Sequence, residues 1–277
     1  VGILSMGIAS LIGVFLGALA GFYGDTRYKL TRLRKYLTFL GLFFGFYYGF
    51  LIRTESMKNA FQEGVFSGSM SFLFGVLLFL FYLVLFNLIG KYIRLRGFLG
   101  VMVPLKIDSY VSRCIEVLNS LPTLLLIITI AAILEERSLF VLMIIIGATS
   151  WTGIARFTRA EFLKLRELEY IQAAQVLGYS NFRIIFKHAL PNGLAPVFVS
   201  IAFGVASAIL VESSLSFLGI GVPEDIVTWG SLLSLGKEEF DAWWLVIFPG
   251  FAIFITITVY NLIGDSLRDA LDPKYTK

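Results

Sequence analysis

Seven stretches of this chain carry no charged side chain: 1–24, 36–52, 64–90, 117–134, 138–155, 189–211 and 242–264. A helix crosses the hydrocarbon core of a bilayer in about 20 residues, with a range of about 17–25. One charge at its centre costs about 2.5–3.5 kcal/mol on insertion. Seven uncharged runs of that length restrict the chain to an all-α polytopic membrane protein. A composition of 57% hydrophobic and only 15% charged residues agrees. The runs at 36–52 and 138–155 are at the short end, so tilt or bilayer thinning sets their ends. Two shorter apolar pieces, 97–105 and 213–223, cannot span and read as interfacial or re-entrant. Residues 1–24 lack the basic leader and small-residue cleavage site of a signal peptide.

The basic residues supply the orientation. Assigned alternately to two sides, the gaps 25–35, 91–116, 156–188 and 265–277 hold nineteen Lys/Arg, while 53–63, 135–137 and 212–241 hold four. The first side is therefore expected to be cytoplasmic, so the chain begins outside and ends inside. The formal charge of +4 is then a topogenic signal. The collars Lys29–Lys35 and Lys91–Arg96 anchor spans and attract anionic membrane lipid. Basic residues spread over four short segments do not suit nucleic acid.

Glycines recur every fourth residue in the first run (Gly13, Gly17, Gly21) and in the second (Gly41, Gly45, Gly49). That spacing lines one helix face, for close helix packing or for a pore. Cys114 is the only cysteine and His188 the only histidine, so no intrachain disulfide or cysteine-based metal site is expected. No cofactor is expected either. A phosphate-binding loop is not legible, since Gly230–Lys237 has the wrong spacing and continues with Glu238. No catalytic constellation emerges, and Ser/His/Asp chemistry would need His188 to meet a nucleophile that nothing marks.

Between the fifth and sixth runs lies a polar, helix-forming module. Residues 156–168 read as a helical extension, and 169–177 as a short helix ended by Gly178 in the C′ position. A second helix starts after Tyr179, capped by Ser180 or Asn181. Pro191 and Pro196 bracket the return to the membrane.

The module resembles the cytoplasmic coupling loop of ABC-transporter permeases in Gln172-Ala173-Ala174, Gly178 and Leu190-Pro191. Further strings resemble the dipeptide/oligopeptide/nickel importer branch: Ser120-Leu121-Pro122, Lys187–Asn192, Glu212–Gly221 (ESSLSFLGIG) and Asn261–Pro273. The resemblance implies a type I ABC importer permease fold. It also implies a second permease subunit, ABC ATPase subunits beneath, an extracytoplasmic solute-binding protein and a place in the plasma (inner) membrane. ATP hydrolysis would belong to the partners, so this chain is not itself an enzyme. Residues 1–277 form a single transmembrane permease domain in this reading, with 156–192 as its cytoplasmic coupling loop.

Within that loop the resemblance points to Glu169, Gln172, Ala173, Ala174, Gly178, His188, Leu190 and Pro191 as coupling residues. Gln172 stands where the family has Glu, which removes one expected charge. The surface of Ile171, Ala174, Val176 and Leu177 is expected to dock into an ATPase groove. Glu212, Ser213 and Trp151 are candidates for the translocation pathway or gate, and for Glu212 a local capping or pairing role is equally open. The family places another span before the first one here, and the chain starts at Val1, so an N-terminal piece is expected to be missing. The family also brings its counterpart of Asp108–Pro122 soon after that of Gly21–Gly24. Here 26–106 intervenes, a family-atypical insertion carrying the two extra spans 36–52 and 64–90, whose even number preserves sidedness. The alternative from another class is a secondary transporter or channel independent of ATP. It would be expected to show inverted repeats or charges within spans.

Overall fold

The computed structural model describes residues 1–93, 97–134, 138–223, 225–239 and 241–271. In chain order its elements are α1 (Gly2–Tyr23), β1 (Lys29–Thr31), α2 (Arg32–Phe46), α3 (Thr54–Glu63), α4 (Val65–Tyr92), β2 (Met102–Pro104), α5 (Ile107–Asn119), α6 (Thr123–Leu134) and α7 (Leu139–Leu165). There follow α8 (Glu169–Val176), α9 (Asn181–Arg183), α10 (Leu190–Gly193), α11 (Ala195–Phe217), α12 (Trp229–Glu238) and α13 (Trp244–Leu271). Single π-helical turns, Tyr47–Leu51 and Ile184–Ala189, extend α2 and join α9 to α10.

Five helices are long and apolar enough to cross a membrane: α1, α4 from Phe66, α7, α11 and α13. Two more spans exist only as bent pairs, Arg32–Leu51 with Thr54–Ala60 at 42° and Ile107–Asn119 with Thr123–Ile133 at 85°. The second pair corrects the reading of 117–134 as one continuous span. α6 has 12 residues, about 18 Å of helix, and falls short of a core about 30 Å thick. Pro122 is the cause. It lacks an N–H and drives Leu121 out of the α region, so α5 ends and the chain turns. Residues 94–96 of the second basic collar, the 135–137 loop and Asp272–Pro273 of the closing string lie outside the described residues.

The chain divides into two compact units, Val1–Gly24 with Ile107–Lys277, and Asp25–Lys106. In the first, α1 lies directly on α7. A Cβ added at Gly13, Gly17 or Gly21 would come within 2.8, 2.6 and 2.5 Å of the carbonyl oxygens of Trp151, Ala155 and Arg159. The first glycine row is thus a packing seam. Met6, Ala9, Ile127, Ile146, Ile154 and Leu215 fill the core around it. Arg159 forms a two-pronged ion pair with Asp108 at the start of α5, with Nη2 donating to Oδ2 over 2.7 Å. Thr152 Oγ1 donates to Asn119 Oδ1 at 3.0 Å. α5 is therefore pinned to α7 at both ends. The Asp108 amide donates to the Gly24 carbonyl at 3.4 Å, so the two ends of this unit flanking 25–106 already touch.

In the second unit, Gly41, Gly45 and Gly49 of α2 and its π turn face α4. Added Cβ atoms there would fall 3.0, 2.8 and 2.7 Å from the carbonyl oxygens of Tyr82, Phe79 and Gly75. β1 pairs antiparallel with β2, Leu30 opposite Val103, and the Leu105 amide donates to the Tyr28 carbonyl at 2.8 Å. Within the 97–105 piece, Met102–Pro104 is a strand of that two-stranded sheet. Only 6% of the most apolar window of α4 is buried, against 50% for α7.

Candidate coupling loop and membrane cavities

α8 begins at Glu169, an acid suited to the positive end of a helix. It ends where Gly178 adopts φ 76°, and nothing lies within 4 Å of an added Cβ. The glycine is needed for its backbone angle, not for space. The Gly178 amide donates to the Gln175 carbonyl at 3.0 Å and the Tyr179 amide to the Ala174 carbonyl at 3.1 Å, the two bonds of a Schellman stop. Ser180 then caps α9, its hydroxyl accepting from the Arg183 amide at 3.4 Å.

Pro191 cannot donate to the Lys187 carbonyl, and its ring would clash there in a regular helix. The π turn before it widens the spiral, and the Leu190 amide donates to Ile185 instead. The His188 ring stacks on Tyr179 with centroids 5.9 Å apart. Its Nε2 is buried and makes no hydrogen bond among the described residues. Asn192 Nδ2 donates to the His188 carbonyl at 2.7 Å and reaches the Tyr170 hydroxyl at 3.4 Å, tying α10 to α8.

These bonds fold α8–α10 into one body with two apolar faces. Inward, Ile171, Ala174, Ile184, Ile185 and Ala189 pack on Phe162 and Leu165 of α7 and on Ala18 and Phe22 of α1. Outward, Val176, Leu177 and Phe182 are 88%, 70% and 72% exposed, and Phe182 lies 4.4 Å from Phe186 between ring centroids. The expected docking set is therefore split. Ile171 and Ala174 are consumed by the protein's own core, while Val176 and Leu177 point away from it. Gln172 also points out, its side-chain amide donating to the Glu167 carbonyl at 3.0 Å. Phe182 and Phe186 went unread in the sequence, although their spacing of four marks a shared helix face.

The membrane candidates lie elsewhere in the same unit. Glu212 is 6% exposed within α11. The Ser216 hydroxyl donates to Oε1 at 2.8 Å and the Ser213 hydroxyl to Oε2 at 3.5 Å. The carboxylate also lines a cavity of about 510 Å³ with Thr228, Trp229, Thr256 and Tyr260. Glu212 thus pairs locally with two serines and also borders a cavity. The 213–223 segment begins inside a helix. Ser213–Phe217 is the last turn of α11, closed by Gly219 at φ 76° with amide bonds from Gly219 to Ser216 and from Ile220 to Leu215. Trp151 belongs to the packed core. A further cavity of about 530 Å³ between α1, α7, α11 and α13 is lined by Ser150, Phe157, Ser200, Phe203, Ser207 and Arg268, none of which the sequence singled out.

A polytopic helical membrane protein bearing a compact helical module between two spans is the class that this geometry defines. The model of binding-protein-dependent transport system inner membrane components matches residues 97–277. The chain belongs to that family, and with it to the multi-pass transport permeases of the inner membrane. It is similar to a putative peptide transport system permease protein of Brucella suis, 44% identical over 170 residues. It is likewise similar to the oligopeptide transport system permease protein OppC of Escherichia coli at 42% over 170 residues, and to the dipeptide transport system permease protein DppC of Alkalihalophilus pseudofirmus at 43% over 169. Each match covers 61% of this chain, and the chain spans little more than half of each relative, 57%, 56% and 55% in that order.

Proposed function

We propose that this chain is the membrane-spanning subunit of an ATP-driven importer of di- or oligopeptides. It forms the translocation pathway with a second permease subunit, receives cargo from an extracytoplasmic solute-binding protein and is driven by ABC ATPase subunits. The observation that carries the reading is the two-faced α8–α10 body, in which one apolar face is spent on the core and the other, Val176, Leu177, Phe182 and Phe186, is left open. An exposed apolar patch on a module outside the membrane is a surface for a partner, and the relatives' names supply the kind of system. Hydrolysis of ATP is assigned to that partner, and the C-terminus to the cytoplasm with the module. Residues 156–192 act as the coupling loop of a single permease domain. Residues 26–106 are an insertion, a reading supported by the contact between Gly24 and Asp108 across it. Glu212, Ser213 and the cavity-lining serines are placed along the pathway.

Co-purification tests this. Wild type is expected to bring down an ATPase from membranes, and Val176→Asp with Leu177→Asp to lose it at unchanged thermal stability, since neither side chain packs on the core. Equal recovery of the ATPase by both proteins would place docking elsewhere. Cargo uptake persisting without ATP would instead favour the secondary carrier.

A further inference from the structure

Within Asp25–Lys106, a pocket of about 410 Å³ lies where β1, the start of α2 and the end of α4 meet. Its walls include Lys29, Thr31, Arg34, Gly90 and Lys91, three cations and no acid. The pocket is built into the packing. Gly90 brings the α4 backbone so close that an added Cβ would lie 2.9 Å from the Arg34 Cα. Asn87 Oδ1 accepts from Arg34 Nε at 3.2 Å and from Nη2 at 2.6 Å, and Asn87 Nδ2 donates to Thr38 Oγ1 at 3.0 Å, which fixes the guanidinium against α4. Lys29 and Lys91 are exposed and make no ion pair among the described residues. Thr31 caps α2 through the Arg34 amide, so the positive end of that helix faces the same space. The opposite partial charge at the end of α4 is offset by Lys91.

The surroundings choose among anions. Segments 25–35 and 91–106 together hold nine Lys/Arg against the single acid Asp25. Both helices also expose hydrocarbon along their length: Phe39 and Phe43 on α2, Val84, Leu85 and Leu88 on α4. A soluble phosphate would use only the pocket, whereas a phospholipid uses pocket and flank together. Basic pockets between membrane helices suit anionic headgroups.

We propose that Lys29, Arg34 and Lys91 hold the phosphate of an anionic phospholipid whose acyl chains lie along α2 and α4. This assignment is independent of what the permease carries. The test uses the full chain reconstituted in nanodiscs of mixed phosphatidylglycerol and phosphatidylcholine, then extracted in mild detergent, with retained lipid measured by mass spectrometry. Wild type is expected to retain phosphatidylglycerol selectively, and Lys29→Gln with Lys91→Gln to reduce retention roughly fivefold for each lysine removed. Arg53→Gln with Lys58→Gln removes the same charge away from the pocket and is expected to leave retention intact. An equal fall in both variants means diffuse attraction only and overturns the site. Unchanged retention in the Lys29/Lys91 variant does the same. Full displacement by millimolar inorganic phosphate would make this a free-anion pocket and overturn the lipid assignment.

Discussion

Two glycine seams with the same four-residue spacing hold together very different neighbourhoods. Gly13, Gly17 and Gly21 press α1 onto α7, one of the most buried helices of its unit, at whose far end the α8–α10 module is seated. Gly41, Gly45 and Gly49 press α2 onto α4, which buries almost none of its apolar window. Helix contact through small residues is thus a local device that a membrane protein can use anywhere. What differs is what else depends on it: a core, two pinning contacts to α5 and the seat of the α8–α10 module in one case, a hairpin closed by a short sheet in the other.

Substitutions can break that contrast. Gly17→Leu should have the largest effect, because its Cβ alone already lies 2.6 Å from the Ala155 carbonyl oxygen. Overpacking of this kind costs about 1–3 kcal/mol, occasionally more, and the loss should show in detergent thermal unfolding and in ATPase co-purification together. Gly45→Leu is as crowded, 2.8 Å from the Phe79 carbonyl oxygen. Its damage should stay local, with faster amide exchange in α2 and α4, unchanged exchange in α7 and full ATPase recovery. If Gly45→Leu melts α7 as well, the two seams are not independent. Gly178→Ala is the smallest, about 1 kcal/mol, because an added Cβ meets nothing and only the backbone angle resists. Thermal unfolding should register it while leaving both seams intact.

The spans were legible because insertion punishes charge, and uncharged runs survive only where helices cross. Run length says nothing about direction, so 117–134 reads as one span although Pro122 is the corner of an 85° turn. Gly178 and Ser180 announced their roles, since the positive-φ stop and the N-cap demand few other residue types. Which face of α8 would be buried was not legible. Ile171 and Ala174 share one side by their spacing of three, Val176 and Leu177 lie on the other, and both sides are apolar. Only the presence of Phe162 and Phe22 beneath decides between them. The cavity-lining serines were equally silent, because serine in a membrane helix usually satisfies itself on a carbonyl, as Ser200 does on Pro196 at 3.1 Å.

The seating of the α8–α10 module on Ala18 and Phe22 as well as on Phe162 and Leu165 has a mechanical meaning. A load on the module is delivered to α1 and α7 at once, and backbones interlocked at carbonyl distance resist sliding past one another. The pair is therefore locked as one stiff unit, with α5 fastened to it through Asp108 and Asn119. That chain of contacts turns a corner at Ser120–Pro122, beyond which α6 returns to the same core through the fully buried Ile127.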